Sequence, residues 1–175
     1  MNPPEFSRPV RIDTLGPGPR AISIGANEGE RAALARRFDL QGIEHLSAKA
    51  ELSLSGEVVR ASGTLVASVT QSCVATGAPV PAELEEEFRI EFRPEPTDGR
   101  AEEEIELSGS ELDVIFYDGA SVDLGEAVAE TLSLALDPYP RCPAADTALA
   151  EVGVVKEGDE PPSGPLAGLK DLLSR

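Results

Sequence analysis

Polar and apolar side chains alternate along three successive segments in the middle of the chain. Because neighbouring side chains of a strand point to opposite faces, this spacing predicts strands with one dry and one solvated face. The connections between the segments are short, with Gly56 in the first, which favours an antiparallel meander over a parallel βαβ sheet. We expect the strands near residues 44–55, 57–73 and 80–93. Their dry phases include Leu52, Leu65 and Phe88.

Two other segments have helical spacing. Near residues 28–38, Asn27 is followed three positions later by Glu30, which is typical of a helix start. Near residues 123–136, Asp123 precedes an apolar face that contains Leu124, Val128 and Leu132. Shorter strands are expected near residues 20–25 and 112–116. The pattern predicts an α+β fold, an antiparallel sheet of about four to six strands with flanking helices, the second of which packs on the dry face.

The domain organisation follows from proline, glycine and charge. Prolines and the Gly-Pro-Gly-Pro run at 16–19 exclude helix and central strand, so residues 1–19 are expected to form an extended arm. One α+β domain is expected over residues 20–142, with an acidic loop at 94–110. Residues 143–164 have a linker composition, and 165–175 have the leucine spacing of a short helix.

The distribution of charged residues along the chain indicates which class of partner the protein could bind. The 175 residues include 15 basic and 32 acidic side chains, a net charge of −17, and residues 1–60 carry eight of each sign. The whole excess of acid therefore lies after residue 60, where it repels phosphate and favours a basic protein partner. Six glutamates are the candidate partner-binding residues: Glu83, Glu85, Glu87, Glu102, Glu103 and Glu104.

A second possibility is direct binding of RNA by the neutral amino-terminal part. Arg31, Arg36 and Arg37 form its compact basic cluster, on the first predicted helix. Aromatic neighbours for base stacking are missing, because Phe38 is needed by the core. An ordinary solvated helix surface explains the same residues.

Catalytic chemistry has little support in the sequence. The single histidine, His45, lies in the polar phase of a strand, where an ordinary surface residue is expected. Glu102 to Glu104 could collect Mg²⁺, although a solvated charge run accounts for them more simply. Two cysteines and one histidine cannot complete a tetrahedral metal site within one chain. We therefore expect no catalytic residues, no metal and no cofactor.

The two cysteines have different surroundings. Cys73 continues the dry phase of its strand, so it is expected to be buried and unreactive, whereas Cys142, beside Arg141 and a proline, is expected to be the more accessible thiol. No membrane span and no signal peptide are visible, which points to the cytoplasm, where a disulfide is not expected.

Several of these segments together resemble the YceD-like family. The resemblance is carried by residues 32–38 (AALARRF), 71–77 (QSCVATG), 86–94 (EEFRIEFRP), 122–126 (VDLGE), 130–136 (ETLSLAL), 138–140 (PYP) and 165–169 (PLAGL). It implies a role in the accumulation of large-subunit ribosomal RNA in bacteria and plastids. The family has no established catalytic residues to carry over. Some members have further cysteines near the carboxyl end that look metal-binding, and here Cys142 alone lies in that region.

Two hypotheses of function remain from the sequence. The first is a non-enzymatic ribosome-biogenesis factor that binds a basic ribosomal protein or assembly factor through its acidic surface. The second is a direct ribosomal RNA binder that uses Arg31, Arg36 and Arg37. An enzyme such as a nuclease lacks a convincing site.

Overall fold

The computed structural model describes residues 4–95 and 113–154, which contain seven strands and three α-helices. The strands are β1 (Pro9–Arg11), β2 (Arg20–Gly25), β3 (Gly42–Ser55), β4 (Val58–Ser72), β5 (Pro79–Pro94), β6 (Asp113–Tyr117) and β7 (Ser121–Asp123). The helices are α1 (Glu28–Arg37), α2 (Leu124–Ala135) and α3 (Ala145–Glu151).

The main sheet has the order β2-β3-β4-β5-β6, and its first four strands are antiparallel neighbours. The three long strands of the expected meander are therefore confirmed, as is the α+β class. Gly56 turns the chain between β3 and β4 with φ +63°, and Gly77 lies between β4 and β5 with φ +72°. Glycine suits these positions because other residues adopt positive φ only with strain.

Strand β6 departs from the antiparallel pattern. It pairs with β5 in parallel, from Ile90 opposite Asp113 to Pro94 opposite Tyr117. A parallel pair needs a long crossover, and the chain between β5 and β6 is long enough to provide one. The acidic loop expected at 94–110 falls in this connection and, from residue 96 on, lies outside the described residues.

The core lies on the dry face of the sheet, under α2. Leu52 and Leu65 are completely buried and Phe88 is 3% exposed, which confirms the dry phase of all three strands. Helix α2 contributes Leu124, Val128 and Leu132 to the same cluster. The expected packing of this helix on the dry face is also confirmed.

From residue 4 on, the amino-terminal segment packs into the fold, although the sequence predicted an extended arm. Within the expected arm, Phe6 is completely buried and β1 pairs with β7 in a small second sheet. A large aromatic side chain gains more from burial than a solvated arm allows, which explains the difference. The expected linker begins with helix α3, and the helix expected at 165–175 lies outside the described residues.

Candidate interaction surface on strand β5

Three of the six candidate glutamates lie side by side on one exposed strip. Glu83, Glu85 and Glu87 alternate along β5 and point to the solvated face, as their spacing predicted. Ser68 of β4 donates a hydrogen bond to Glu83 Oε2 at 2.6 Å. Glu102, Glu103 and Glu104 lie outside the described residues. We call the strip formed by Glu83, Glu85 and Glu87 the acidic strip.

With respect to the strands that the structure describes, the acidic strip lies on an open edge of the sheet. Strand β6 pairs with β5 only from Ile90 to Pro94. Among residues 4–95 and 113–154, no strand pairs with the outer side of β5 before Ile90. Within residues 4–95 and 113–154, this stretch of β5 therefore has a strand neighbour on one side alone, and its outer backbone groups are available to a further strand.

The register shows which backbone groups face outward. Gln41 donates its backbone N–H to the carbonyl of Thr70 at 2.8 Å, so even-numbered residues of β4 bond on the β3 side. Odd-numbered residues of β4 must then bond β5, where their partners are even-numbered, as Leu65 is opposite Glu86. The odd-numbered residues of β5, the acidic strip included, direct their N–H and C=O groups away from β4.

Two prolines support this assignment of direction. Pro79 and Pro81 fall in the same odd-numbered set, and neither has an N–H to donate. Proline within a strand is tolerated at an edge, where no ladder bond is lost. The alternating prolines are a sequence signal for an edge position, which period-two spacing alone does not reveal.

The next acidic residue in this phase has a different role. Glu91 is 5% exposed and accepts hydrogen bonds from Arg93 Nη2 at 2.7 Å and from Arg60 Nε at 2.9 Å. Hydrogen bonds from Arg93 first, and then from Arg60, hold the pKa of Glu91 below its ordinary value. Glu91 is thus neutralised within the fold, whereas no ion pair reaches the acidic strip from any described residue.

The three candidate arginines do not form one free basic surface. Arg31 donates from Nη1 to the carbonyl of Ala26 at 2.8 Å and from Nε to the carbonyl of Ile43 at 3.2 Å. Its guanidinium thereby joins the start of α1 to the start of β3.

Arg37 is also occupied by the protein itself. It donates to Glu126 at 2.7 and 3.0 Å and to Glu5 at 3.1 Å. The hydrogen bonds to Glu126, followed by the attraction of that carboxylate, raise the pKa of Arg37. Arg36 is exposed and has no partner among the described residues. Two arginines of the cluster therefore stabilise the fold, and one faces solvent.

The junction at the start of α2 explains the sequence VDLGE. Asp123 caps the helix by accepting the backbone N–H groups of Gly125 and Glu126 at 3.0 and 3.2 Å. The same carboxylate accepts the backbone N–H of Arg8 at 2.7 Å. A Cβ atom on Gly125 would lie 2.3 Å from the carbonyl oxygen of Phe6, so glycine is required where the amino-terminal segment crosses the helix.

The remaining candidate groups do not converge on a catalytic arrangement. His45 is exposed on β3, with Nε2 2.9 Å from Ser47 Oγ. In the part of the chain that the structure describes, no three metal-binding side chains cluster together. No helix there is both long and apolar enough to cross a membrane.

The two cysteines lie close together just beyond the carboxyl end of β4, at the turn to β5. Cys73 is buried and Cys142 is half-buried, as expected, and both are free thiols. The backbone N–H of Cys142 donates to Cys73 Sγ at 3.3 Å, across 69 positions of sequence. This contact was not visible from the sequence, where the two residues belong to unrelated segments.

Comparison with known proteins gives one match. A family model described as "Large ribosomal RNA subunit accumulation protein YceD" matches residues 61–173, about two thirds of the chain. No curated protein and no solved structure matches the chain. Within the described residues, the match includes nearly all of β4, the acidic strip, the start of α2 and both cysteines.

Proposed function

The chain belongs to the YceD family, and on that premise we propose that it supports the accumulation of large-subunit ribosomal RNA as a non-enzymatic ribosome-biogenesis factor. In this proposal it acts in the cytoplasm and binds an extended basic segment of a ribosomal protein or assembly factor. Ribosomal RNA then accumulates because assembly of the subunit proceeds, without direct contact between this chain and the RNA.

The observation that carries the proposal is the coincidence of charge and open backbone on β5. Glu83, Glu85 and Glu87 present carboxylates on one face, while their own N–H and C=O groups point outward from the sheet edge. An added strand would obtain main-chain hydrogen bonds from the edge and side-chain contacts from the adjacent face. A segment with Lys or Arg at alternate positions fits both features.

Charge complementarity decides the class of partner. No ion pair joins the acidic strip to another described residue, so its carboxylates are available to an incoming basic segment. Nucleic acid is repelled by the same surface, since its affinity depends on cations that displace counterions from phosphate. Exposed charges mainly raise the rate at which the two partners meet. The backbone hydrogen bonds determine the direction in which the added strand runs.

The RNA-binding alternative has less support. Arg31 and Arg37 bond to backbone carbonyls and to carboxylates of the protein itself. Their release for phosphate would break contacts that join α1 to β3 and to α2. Of the three candidate arginines, Arg36 alone has no partner among the described residues, and one such cation is a weak electrostatic footprint for RNA.

A capture experiment with the full chain tests the proposal. Tagged wild-type protein is recovered from a ribosome-containing lysate before and after nuclease digestion, and both the proteins and the RNA are quantified. We expect basic ribosomal or assembly proteins to remain bound after digestion. Conversion of Glu83, Glu85 and Glu87 to Gln should weaken this binding about tenfold, at about 0.5 kcal/mol for each exposed charge.

The matched control removes the same charge elsewhere. Glu28, Glu57 and Glu151 are exposed away from the open edge, and their conversion to Gln should leave binding unchanged. Recovery of ribosomal RNA without a basic protein would contradict the proposal. So would binding that survives the acidic-strip changes and is lost in Arg36→Ala, an outcome that favours the direct RNA binder.

A second variant tests the backbone part of the proposal. Glu85 directs its N–H outward, so Glu85→Pro removes an edge donor and leaves the ladder to β4 intact. Glu85→Gln removes the same charge and keeps the donor. Weaker binding by the proline variant than by the glutamine variant is expected, whereas equal binding would exclude strand addition at this position.

A further inference from the structure

The segment that follows α2 lies across the turn between β4 and β5. Gln71 donates from Nε2 to the carbonyl of Asp137 at 2.9 Å. Val74 donates its backbone N–H to the carbonyl of Pro140, also at 2.9 Å. Together with the bond from Cys142 to Cys73, these contacts hold residues 137–142 against the end of β4.

Both cysteines of the chain meet at this crossing. The sequence contains two cysteines, and each lies on a segment that the other contacts. The Cys142 thiol lies 3.3 Å from Thr76 Oγ1, and Thr76 belongs to the same turn as Cys73. Distant parts of the sequence thus bring all of its thiols into one cluster.

The sulfur of Cys73 is surrounded by donors. The backbone N–H of Cys142 does most to lower the pKa of Cys73, followed by the hydroxyl of Thr76, the N–H of Ala75 and the thiol of Cys142. These hydrogen bonds stabilise the thiolate and lower the pKa of Cys73 to about 6. An inert core thiol, as the strand phase predicted, would instead lack such donors.

We propose that Cys73 and Cys142 form a reversible intramolecular disulfide when the protein meets hydrogen peroxide, with Cys73 oxidised first and Cys142 as the resolving thiol. The geometry that carries this inference is the direct contact of the two cysteines, with Cys73 Sγ held by the amide of Cys142. The inference does not depend on the acidic strip or on its partner.

The chemistry balances in two steps. The Cys73 thiolate attacks one peroxide oxygen, the O–O bond breaks, and the departing hydroxide takes a proton to leave as water. Cys73 is then a sulfenic acid. The Cys142 sulfur attacks the Cys73 sulfur, the S–S bond forms, the S–O bond breaks, and a second water leaves with the Cys142 proton. A thiol reductant reverses the product by thiol–disulfide exchange.

The test uses the full chain, reduced and held in buffer with a chelator so that metal plays no part. After addition of hydrogen peroxide, intact mass and non-reducing peptide mapping should show the loss of two hydrogens and a peptide that links Cys73 to Cys142. Dithiothreitol should restore the starting mass. Over-oxidised cysteine without a disulfide, or a disulfide between two chains, would overturn the proposal.

Two variants separate the roles of the thiols. In Cys142→Ser, Cys73 should accumulate as a sulfenic acid that dimedone traps. In Cys73→Ser, Cys142 should react with peroxide at least about tenfold more slowly than Cys73 does in Cys142→Ser, because the backbone N–H that holds Cys73 Sγ has no counterpart at Cys142 Sγ among the described hydrogen bonds. The opposite order of reactivity would overturn the assignment of the first step.

A third comparison tests whether the reactivity of Cys73 depends on the folded structure. In urea the donors around Cys73 are lost, so the two thiols should react at similar rates. Thr76→Val should slow the oxidation of Cys73 and Thr76→Ser should restore it, because the hydroxyl is the group that differs. An unchanged rate in Thr76→Val, with the variant folded by circular dichroism, would contradict the donor cluster.

Discussion

Phe88 lies directly opposite Gly63 in the pairing of β4 with β5, so close that a Cβ atom on Gly63 would be 2.9 Å from the ring atom Cζ. The same Cβ would lie 2.1 Å from the carbonyl oxygen of Lys49 on β3. The centre of the sheet is thus packed around a position that has no side chain, and the phenyl ring fills the space above it.

Phe88→Ala should lower the free energy of unfolding by about 3–5 kcal/mol, because a buried aromatic ring is replaced by a cavity. Gly63→Ala should cost about 1–3 kcal/mol through overpacking against β3. Both are measured by denaturant unfolding. Phe116 is 48% exposed, and Phe116→Ala is the control, with an expected change within about 0.5 kcal/mol.

Helices α1 and α2 offer a matched pair of glycines. Gly125 and Gly29 each occupy the second position of a helix, but a Cβ on Gly29 would meet Asn27 Oδ1 at an ordinary 3.4 Å. Gly29→Ala should raise stability by up to about 1 kcal/mol, as expected for alanine over glycine in a helix. Gly125→Ala should lower stability and release the segment around Phe6 to proteolysis. Equal effects of the two changes would contradict the close crossing at Gly125.

Glu91 should make stability depend on pH. Its pKa is held below the ordinary 4.5 in the fold, so the unfolded chain takes up the proton first as pH falls. The stabilising contribution is present above about pH 5 and is lost as pH falls through the folded pKa. Glu91→Gln should cost about 1–3 kcal/mol at pH 7 and progressively less below pH 4. The control Glu87→Gln should track the wild type across the range.

The neighbouring residues Arg36 and Arg37 should contribute differently to stability. Arg37→Ala removes the bonds to Glu126 and Glu5 and should cost about 1 kcal/mol, because the pair is partly exposed. Arg36→Ala should leave stability unchanged. Thermal unfolding of both variants measures this, and a larger loss in Arg36→Ala would show that the contacts of α1 are assigned incorrectly.

Binding of the basic partner should be sensitive to salt through its association rate. Between 0.1 and 1 M salt the Debye length falls from about 10 to 3 Å, which removes the long-range attraction of the acidic strip. Changes of Glu83, Glu85 and Glu87 to Gln should slow association more than they speed dissociation. Surface plasmon resonance with the captured partner separates the two rates. Changes confined to dissociation would favour side-chain contacts over steering.

The long strands could be predicted because local order determines them. Period-two spacing around Leu52, Leu65 and Phe88 defines a face, and short turns force adjacent strands to be antiparallel. The direction of β6 could not be predicted, because a five-residue strand after a long connection carries no signal of its orientation. Ion pairs between residues that are distant in the sequence could not be predicted either. Arg37 and Glu126, for example, are 89 positions apart.

The candidate site divides in the same way. The exposure of Glu83, Glu85 and Glu87 followed from their phase on one strand, since every other residue shares a face. The open edge beside them depends on where β6 stops pairing, which is a property of the whole sheet. The cluster of Cys73 and Cys142 depends on how the segment after α2 returns to β4, and no local pattern encodes that return.

The hydrogen bond from Ser7 Oγ to Asp123 Oδ2 spans 116 positions of sequence at 2.5 Å. Closing so long a loop is entropically costly and is delayed until other contacts have formed. During synthesis, the β2 to β5 meander leaves the ribosome before α2 exists to cover its dry face. The backbone of Phe6 crosses α2 at Gly125, so Phe6 cannot reach its final position until that helix has been made. This places the docking of the first residues among the last events of folding, and a chain truncated before α2 would expose an uncovered apolar sheet.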